Sequence, residues 1–190
     1  MTKKSKEQIR QQLVTEVDQL LYHRGFHAMS FADIAKQCGV SKGNLYYYFK
    51  TKEALLQAVI EFRVSQIKLM LKQWEEEFQT PIERLKRYAK IVEIEADNVV
   101  QYGCPMGSLN TELAKVEPEL QKIARLQLDI FKHWLKKQFK QLGAGARSEQ
   151  LTMSLMARTQ GISIMAQAFH DNKFITKELS QVMQWLDEID

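Results

Sequence analysis

Seven residues in the first third of the chain are of the types that touch nucleic acid: Ser30, Lys42, Gly43, Asn44, Tyr46, Tyr47 and Lys52. Ammonium groups and phenolic hydroxyls reach phosphate oxygens, an asparagine amide pairs with a base edge, and a glycine lets one backbone approach another closely. Lys42, Tyr47 and Lys52 are the leading phosphate contacts, with Ser30 and the arm lysines Lys3, Lys4 and Lys6 in support. Lys42 also has the reach for a guanine edge, and Asn44 suits direct base readout. A second kind of chemistry belongs to Cys104, in Tyr-Gly-Cys-Pro-Met-Gly. A thiol at a helix break, just before the next helix begins, has its thiolate favoured. The other reading of Cys104, a small buried residue in a tight turn, stays open. Cys38 sits where a small apolar core residue is needed, and two cysteines make no disulfide framework.

The elements that position these groups are short. Ser30 and Asp33 form a capping box that starts one helix, with Ile34 and Ala35 facing inward and Cys38 following on the same side. Gly39 supplies a sharp turn. Ser41 caps a second helix with Val40, Leu45 and Tyr48 inward and Lys42, Gly43, Asn44, Tyr46 and Tyr47 outward. Three consecutive tyrosines cannot face one way. Tyr48 and Phe49 are read as mainly buried and Tyr47 as exposed. A helix showing cations, amides and phenols outward, held across a glycine turn, has the geometry of a major-groove reader. Ahead of it, Ile9, Leu13, Val17, Leu20 and Leu21 give a helical stripe from Gln8 to Arg24.

Past Thr51 the pattern is helical to the end: to about Phe78, from Pro81 to about Gln101, from about Gly107 to Lys115, from Pro118 to about Leu142, from Ser148 to Phe169, and from Ile175 to Ile189. No segment alternates with period 2, so the fold expected is all-α. The expected division is a helix-turn-helix domain over residues 1–52 and a helical effector-binding and dimerisation domain over 53–190.

GVSKGNLYYYFKTKEAL resembles the signature of TetR-type transcriptional regulators, which reads close to GVSKGTLYHYFKSKEEL. The similarity runs over roughly residues 8–60. Beyond them, only length and helical pattern are alike. The resemblance implies that Lys42, Gly43, Asn44, Tyr46, Tyr47 and Lys52 contact double-stranded DNA. Asn44 stands where Thr is common, which leaves the operator preference open. A homodimer on a palindromic operator is implied too, since one helix-turn-helix covers only a few base pairs. Its interface is expected on the last two long helices, where Met153, Ile164, Met165, Phe169, Met183 and Trp185 add to an inward stripe. The resemblance further implies a small-molecule effector held between residues 62 and 142, with Trp74, Tyr88, Tyr102, Phe131 and Trp134 as lining candidates or plain core. A Gly-Cys-x-x-Gly-x-Leu segment like that around Cys104 resembles one subgroup, some of whose members sense electrophiles or oxidants. Repression is the family's common mode.

Composition bounds the rest. The chain has 190 residues, 45% hydrophobic and 26% charged, with 8 Gly and 3 Pro, which fits long helices in a globular protein. Residues 1–52 hold nine Lys/Arg against four Asp/Glu, a net of +5, and the remainder a net of −1. The positive excess thus lies in the segment with the DNA-reading pattern. No apolar run approaches the ~18 residues of a membrane span, and the basic N-terminus has no apolar core behind it, so a cytoplasmic protein is expected. No P-loop, dinucleotide glycine pattern or zinc spacing occurs, and no cofactor, metal or enzymatic activity is expected. The alternative is a helical ligand-binding or interaction protein, or a small-molecule enzyme, without DNA binding.

Overall fold

The computed structural model describes residues 5–189. Lys3 and Lys4 lie outside the described residues. Among the described residues there are eleven α-helices, one short 3-10 turn and no strand, as the all-α reading requires. The helices are α1 (Lys6–Arg24), α2 (Phe31–Gln37), α3 (Lys42–Tyr48), α4 (Lys52–Glu77), α5 (Pro81–Ala89), α6 (Ile91–Ile94), α7 (Ala96–Tyr102), α8 (Pro105–Ala114), α9 (Pro118–Gln141), α10 (Ser148–Phe169) and α11 (Asn172–Asp187).

Local chemistry sets the helix starts. The Ser30 hydroxyl accepts from the Asp33 N–H at 3.1 Å, and the Asp33 carboxylate accepts from the Ser30 N–H at 2.9 Å, closing the expected capping box. Ser5 with Gln8 starts α1 in the same way, and Thr80 with Glu83 starts α5, where Pro81 occupies a first-turn position that needs no N–H. Gly39 turns the chain between α2 and α3 at φ 62°, in the left-handed region that disfavours other residues.

The segment from Pro81 to Tyr102 differs from the single helix its pattern predicts. It is three helices, interrupted at Lys90 (φ −67°, ψ −10°) and Glu95 (φ −99°, ψ 19°). Neither break uses Gly or Pro. At Lys90 the N–H is shared between the Lys86 and Tyr88 carbonyls, so the chain kinks without leaving helical conformation.

The chain forms two compact units, one of residues 1–65 with 108–126 and one of 66–107 with 127–190. Three helices, α4, α8 and α9, begin in one and end in the other. The first unit's core takes Leu13, Val14, Val17 and Leu21 from α1, Ile34 and Ala35 from α2, and Leu45 from α3. Leu55, Leu56, Val59 and Ile60 of α4, Leu109 and Leu113 of α8, and Ala124 of α9 complete it. The Arg63–Asp18 ion pair, with side chains only 11% and 17% exposed, ties α4 to α1. The second unit is built on Leu85, Tyr88, Phe131, Leu135, Phe139, Leu155, Ile175 and Leu186.

Tyr88 gives the second unit a pH-dependent stability. Its hydroxyl lies 3.4 Å from the Thr159 hydroxyl, and burial pushes its pKa up to about 12. Between pH 10 and 12 the unfolded chain has released a proton that the folded chain still holds, so stability falls as pH rises through that window. Urea unfolding at pH 10 and pH 11 should show the wild type losing about 1 kcal/mol more than Tyr88→Phe over that step. Equal losses in both would place the hydroxyl in water.

Candidate nucleic-acid interface

Helix α3 is held by one side. The Ser41 hydroxyl caps it by accepting from the Asn44 N–H at 3.1 Å. Leu45 is its one fully buried residue, Val40 and Tyr48 are half-buried, and Phe49 just past its end is 3% exposed. The opposite face carries Lys42, Gly43, Asn44, Tyr46 and Tyr47, all exposed. Tyr46 and Tyr47 stand 42% and 57% open, a large share for aromatic residues on so short a helix. Each ring is nevertheless placed. Tyr46 leans on Phe31 of α2 with centroids 4.6 Å apart, and Tyr47 meets Tyr48 edge-on at 5.1 Å with the Lys6 ammonium 4.6 Å from its centroid. The Lys42 ammonium lies 5.9 Å from the Tyr46 ring.

Gly43 is informative for what does not surround it. A Cβ there would meet nothing within 4 Å, and the residue lies inside a regular helix. The protein's own fold therefore makes no demand for glycine at this position.

Two other candidates are partly engaged already. The Ser30 hydroxyl donates to Asp33 Oδ2 at 2.6 Å while accepting from the Asp33 N–H, and these bonds hold the Asp33 carboxyl below its ordinary pKa. Lys52, at the start of α4, is half-buried with its ammonium 4.2 Å from the Phe26 centroid. Burial lowers its pKa, against the opposing charges of Glu112, Glu53 and Glu117.

Glu112 is a residue that sequence reasoning missed. Its carboxylate, carried on α8, accepts from the backbone N–H of Phe26 at 3.0 Å and of His27 at 2.7 Å. Those groups lie in the turn that leads from α1 to α2. Gly25 permits the approach: it adopts φ 76°, and a Cβ on it would stand 3.0 Å from Glu112 Oε2. A surface glutamate 85 residues away gives no local signal of such a contact.

The sensing candidates fall in different places. Trp74, Tyr88 and Phe131 are buried in the second unit's core, Tyr102 is half-buried, and Trp134 is buried with its indole N–H donated to Glu75. Tyr88 packs on Phe131 and Trp74 on Trp134, with centroids 5.3 and 5.8 Å apart. Cys104 is half-buried immediately before α8. Its sulfur accepts from the Gly107 N–H and from Gln160 Nε2, each at 3.4 Å. A Cβ at Gly107 would fall 2.3 Å from Gln160 Oε1, so a larger residue there would displace that side-chain amide from its place beside Cys104. Cys38 contrasts with it: burial first, and a hydrogen bond to Glu16 second, push its thiol up to about 12, where it stays protonated and unreactive. Among the described residues no cluster of three or more His, Cys, Asp or Glu has the arrangement to hold a metal ion, and no helix is long and apolar enough to cross a membrane.

A capped helix pair across a left-handed glycine, with one polar face left bare, defines a helix-turn-helix protein. Residues 18–59 match the family described as bacterial regulatory proteins, tetR family. The chain is 30% identical over 122 residues to an HTH-type transcriptional regulator encoded in the lacX 3' region of Lactococcus lactis subsp. lactis, covering 60% of this chain and 59% of that one. It is 26% identical over 127 residues to the HTH-type transcriptional regulator YxaF of Bacillus subtilis, covering 66% and 65%. The matches thus span about three-fifths of those relatives' lengths. The crystal structure of a TetR-family regulator from Cytophaga hutchinsonii superposes with a TM-score of 0.84 at 19% identity, covering 100% of this chain and 98% of that one, and so shares its fold. The helix-turn-helix segment is thus similar to that of the tetR family, and the chain as a whole shares the fold of a TetR-family structure.

The Glu112 contact has a measurable consequence. Glu112→Ala leaves two backbone N–H groups without their acceptor and should cost about 2 kcal/mol in urea unfolding. Amide exchange at Phe26 and His27 should quicken with it. Unchanged exchange at both positions would show that the carboxylate does not hold the turn.

Proposed function

We propose that this chain is a DNA-binding transcriptional regulator, a dimeric repressor of the cytoplasm that leaves a palindromic operator when a small-molecule or thiol-reactive effector acts on it. Residues 1–52 read DNA in this account, and residues 53–190 sense and dimerise. The observation that carries the reading is the bare outer face of α3. Lys42, Asn44, Tyr46 and Tyr47 face outward on a helix anchored from behind, beside a glycine that the fold itself does not need. Lys42 and Tyr47 hold phosphates, Asn44 reads a base edge, and Gly43 lets the helix backbone close on the duplex. Lys52 and Ser30 flank them, Ser30 chiefly through the cap it forms.

Specific binding needs two such helices about 34–36 Å apart, which a twofold dimer supplies. The supporting surface is on α10, where Met153, Ile164, Met165 and Phe169 are 48%, 60%, 42% and 71% exposed. Gly161, exposed on the same helix, allows close approach of a second helix. Effector uptake or modification of Cys104 then favours an arrangement in which α4 tilts and the two recognition helices no longer match the half-sites.

Binding sites selected from a random DNA pool should be palindromic, with affinity falling steeply as salt rises. Lys42→Ala should flatten that salt dependence by about one ion. Gly43→Ala should leave the fold as stable or raise it by about 0.5 kcal/mol, yet weaken the operator complex severalfold. A protein that shifts no DNA at low salt is the helical ligand-binding or interaction protein instead.

The thiol arm is tested separately. Iodoacetamide at pH 8 should modify Cys104 and spare Cys38, and modification should release the operator. If Cys104→Ser responds to electrophiles as wild type does, Cys104 is a turn residue and the effector is non-covalent.

A further inference from the structure

The second unit carries a groove that neither the DNA face nor Cys104 uses. It lies between α4 and α9 and has a volume of about 450 Å³, within the size range of small-molecule sites. The two helices line it in the same manner. Lys68 and Lys72 stand one turn apart on α4, and His133 and Lys137 stand one turn apart on α9. Between these basic edges the floor is apolar, made by Leu71, Ile130 and Trp134.

The charges of the groove do not cancel. Its lining holds three lysines against one carboxylate, Glu75, a net of +2. Glu75 is already engaged: it accepts from the Trp134 indole at 3.0 Å and from the Lys137 ammonium at 2.9 Å. The Lys137 bond, before any other cause, holds its carboxyl below the ordinary range. Lys72 meets Glu76 only at 3.8 Å, with both side chains mostly in water. Lys68 has no ion-pair partner among the described residues.

We propose that this groove binds an organic anion with an apolar body, a carboxylate or sulfonate borne on a ring or short chain, and that such anions are the effector class of the regulator. The second clause rests on the regulator reading above. A bare inorganic anion would meet only solvated lysines, whose attraction water and salt screen. A neutral apolar molecule would cover the floor but leave the lysines unanswered. An amphiphilic anion satisfies both, with its ring on Leu71, Ile130 and Trp134 and its charge toward Lys68 and Lys72.

Calorimetric titration of the full chain with 1-naphthoate, its neutral counterpart 1-naphthylmethanol, and inorganic phosphate tests this. Naphthoate should bind severalfold tighter than naphthylmethanol, weaken as salt rises, and outcompete phosphate. The exposed pair Lys68→Glu/Lys72→Glu should reduce naphthoate affinity about tenfold or more while leaving the melting temperature near that of wild type. Equal affinity for the acid and the alcohol, no heat with either, or indifference to the charge reversal would overturn the site. Operator shifts run on the same protein separate the two layers. Naphthoate that binds but does not release the operator overturns the effector role alone, whereas a chain that binds no operator without naphthoate sinks the regulator reading.

Discussion

A seven-residue helix that must leave one side bare can be held only from the other, and here the holding centres on Leu45, with Val40, Tyr48 and Phe49 beside it. Too short to be stable alone, α3 depends on tertiary packing for its existence. The packing is correspondingly broad. Leu45 belongs to a core that draws on α1, α2 and α4 and also on Leu109, Leu113 and Ala124 of α8 and α9. The recognition helix is therefore anchored in a unit larger than the three-helix motif, and Glu112 adds a polar fastening to the turn just ahead of α2. Because α8 begins beside Cys104 and ends beyond Glu112, one short helix carries both the candidate thiol's neighbour and the carboxylate that holds the turn ahead of α2.

What was legible in the sequence is what is local. Capping boxes span three residues, so Ser30 and Asp33 declare a helix start without reference to the rest of the chain. The outward set on α3 follows from helical spacing once Leu45 is recognised as the anchor. The sequence was silent where contacts are distant or breaks are soft. Glu112 reads as one more solvated glutamate, since its partners are 85 and 86 residues away. Lys90 keeps a right-handed helical conformation, Glu95 leaves it for a single residue at φ −99°, ψ 19°, and neither break recruits Gly or Pro, so periodicity runs straight through them. The surplus of apolar residues in the last two helices was visible, but not its distribution. Val182 and Leu186 of α11 are buried within the unit, while Ile164 and Phe169 of α10 face outward.

The groove between α4 and α9 shows how magnitudes would divide the work between its two kinds of residue. An exposed ion pair contributes about 0–1 kcal/mol, less as salt rises. Covering apolar surface contributes about 25 cal/mol for each Å² removed from water, so a ring hiding about 100 Å² gains about 2.5 kcal/mol. In the proposed site the floor of Leu71, Ile130 and Trp134 would thus decide whether a molecule stays, and Lys68 and Lys72 which molecules do. A site so open and so dependent on surface charge gives modest affinity. A ligand shifts a conformational equilibrium by no more than its difference in affinity for the two states. An effector bound this way therefore suits a regulator whose DNA-bound and released arrangements differ by only a few kcal/mol, so that a small bias on α4 suffices.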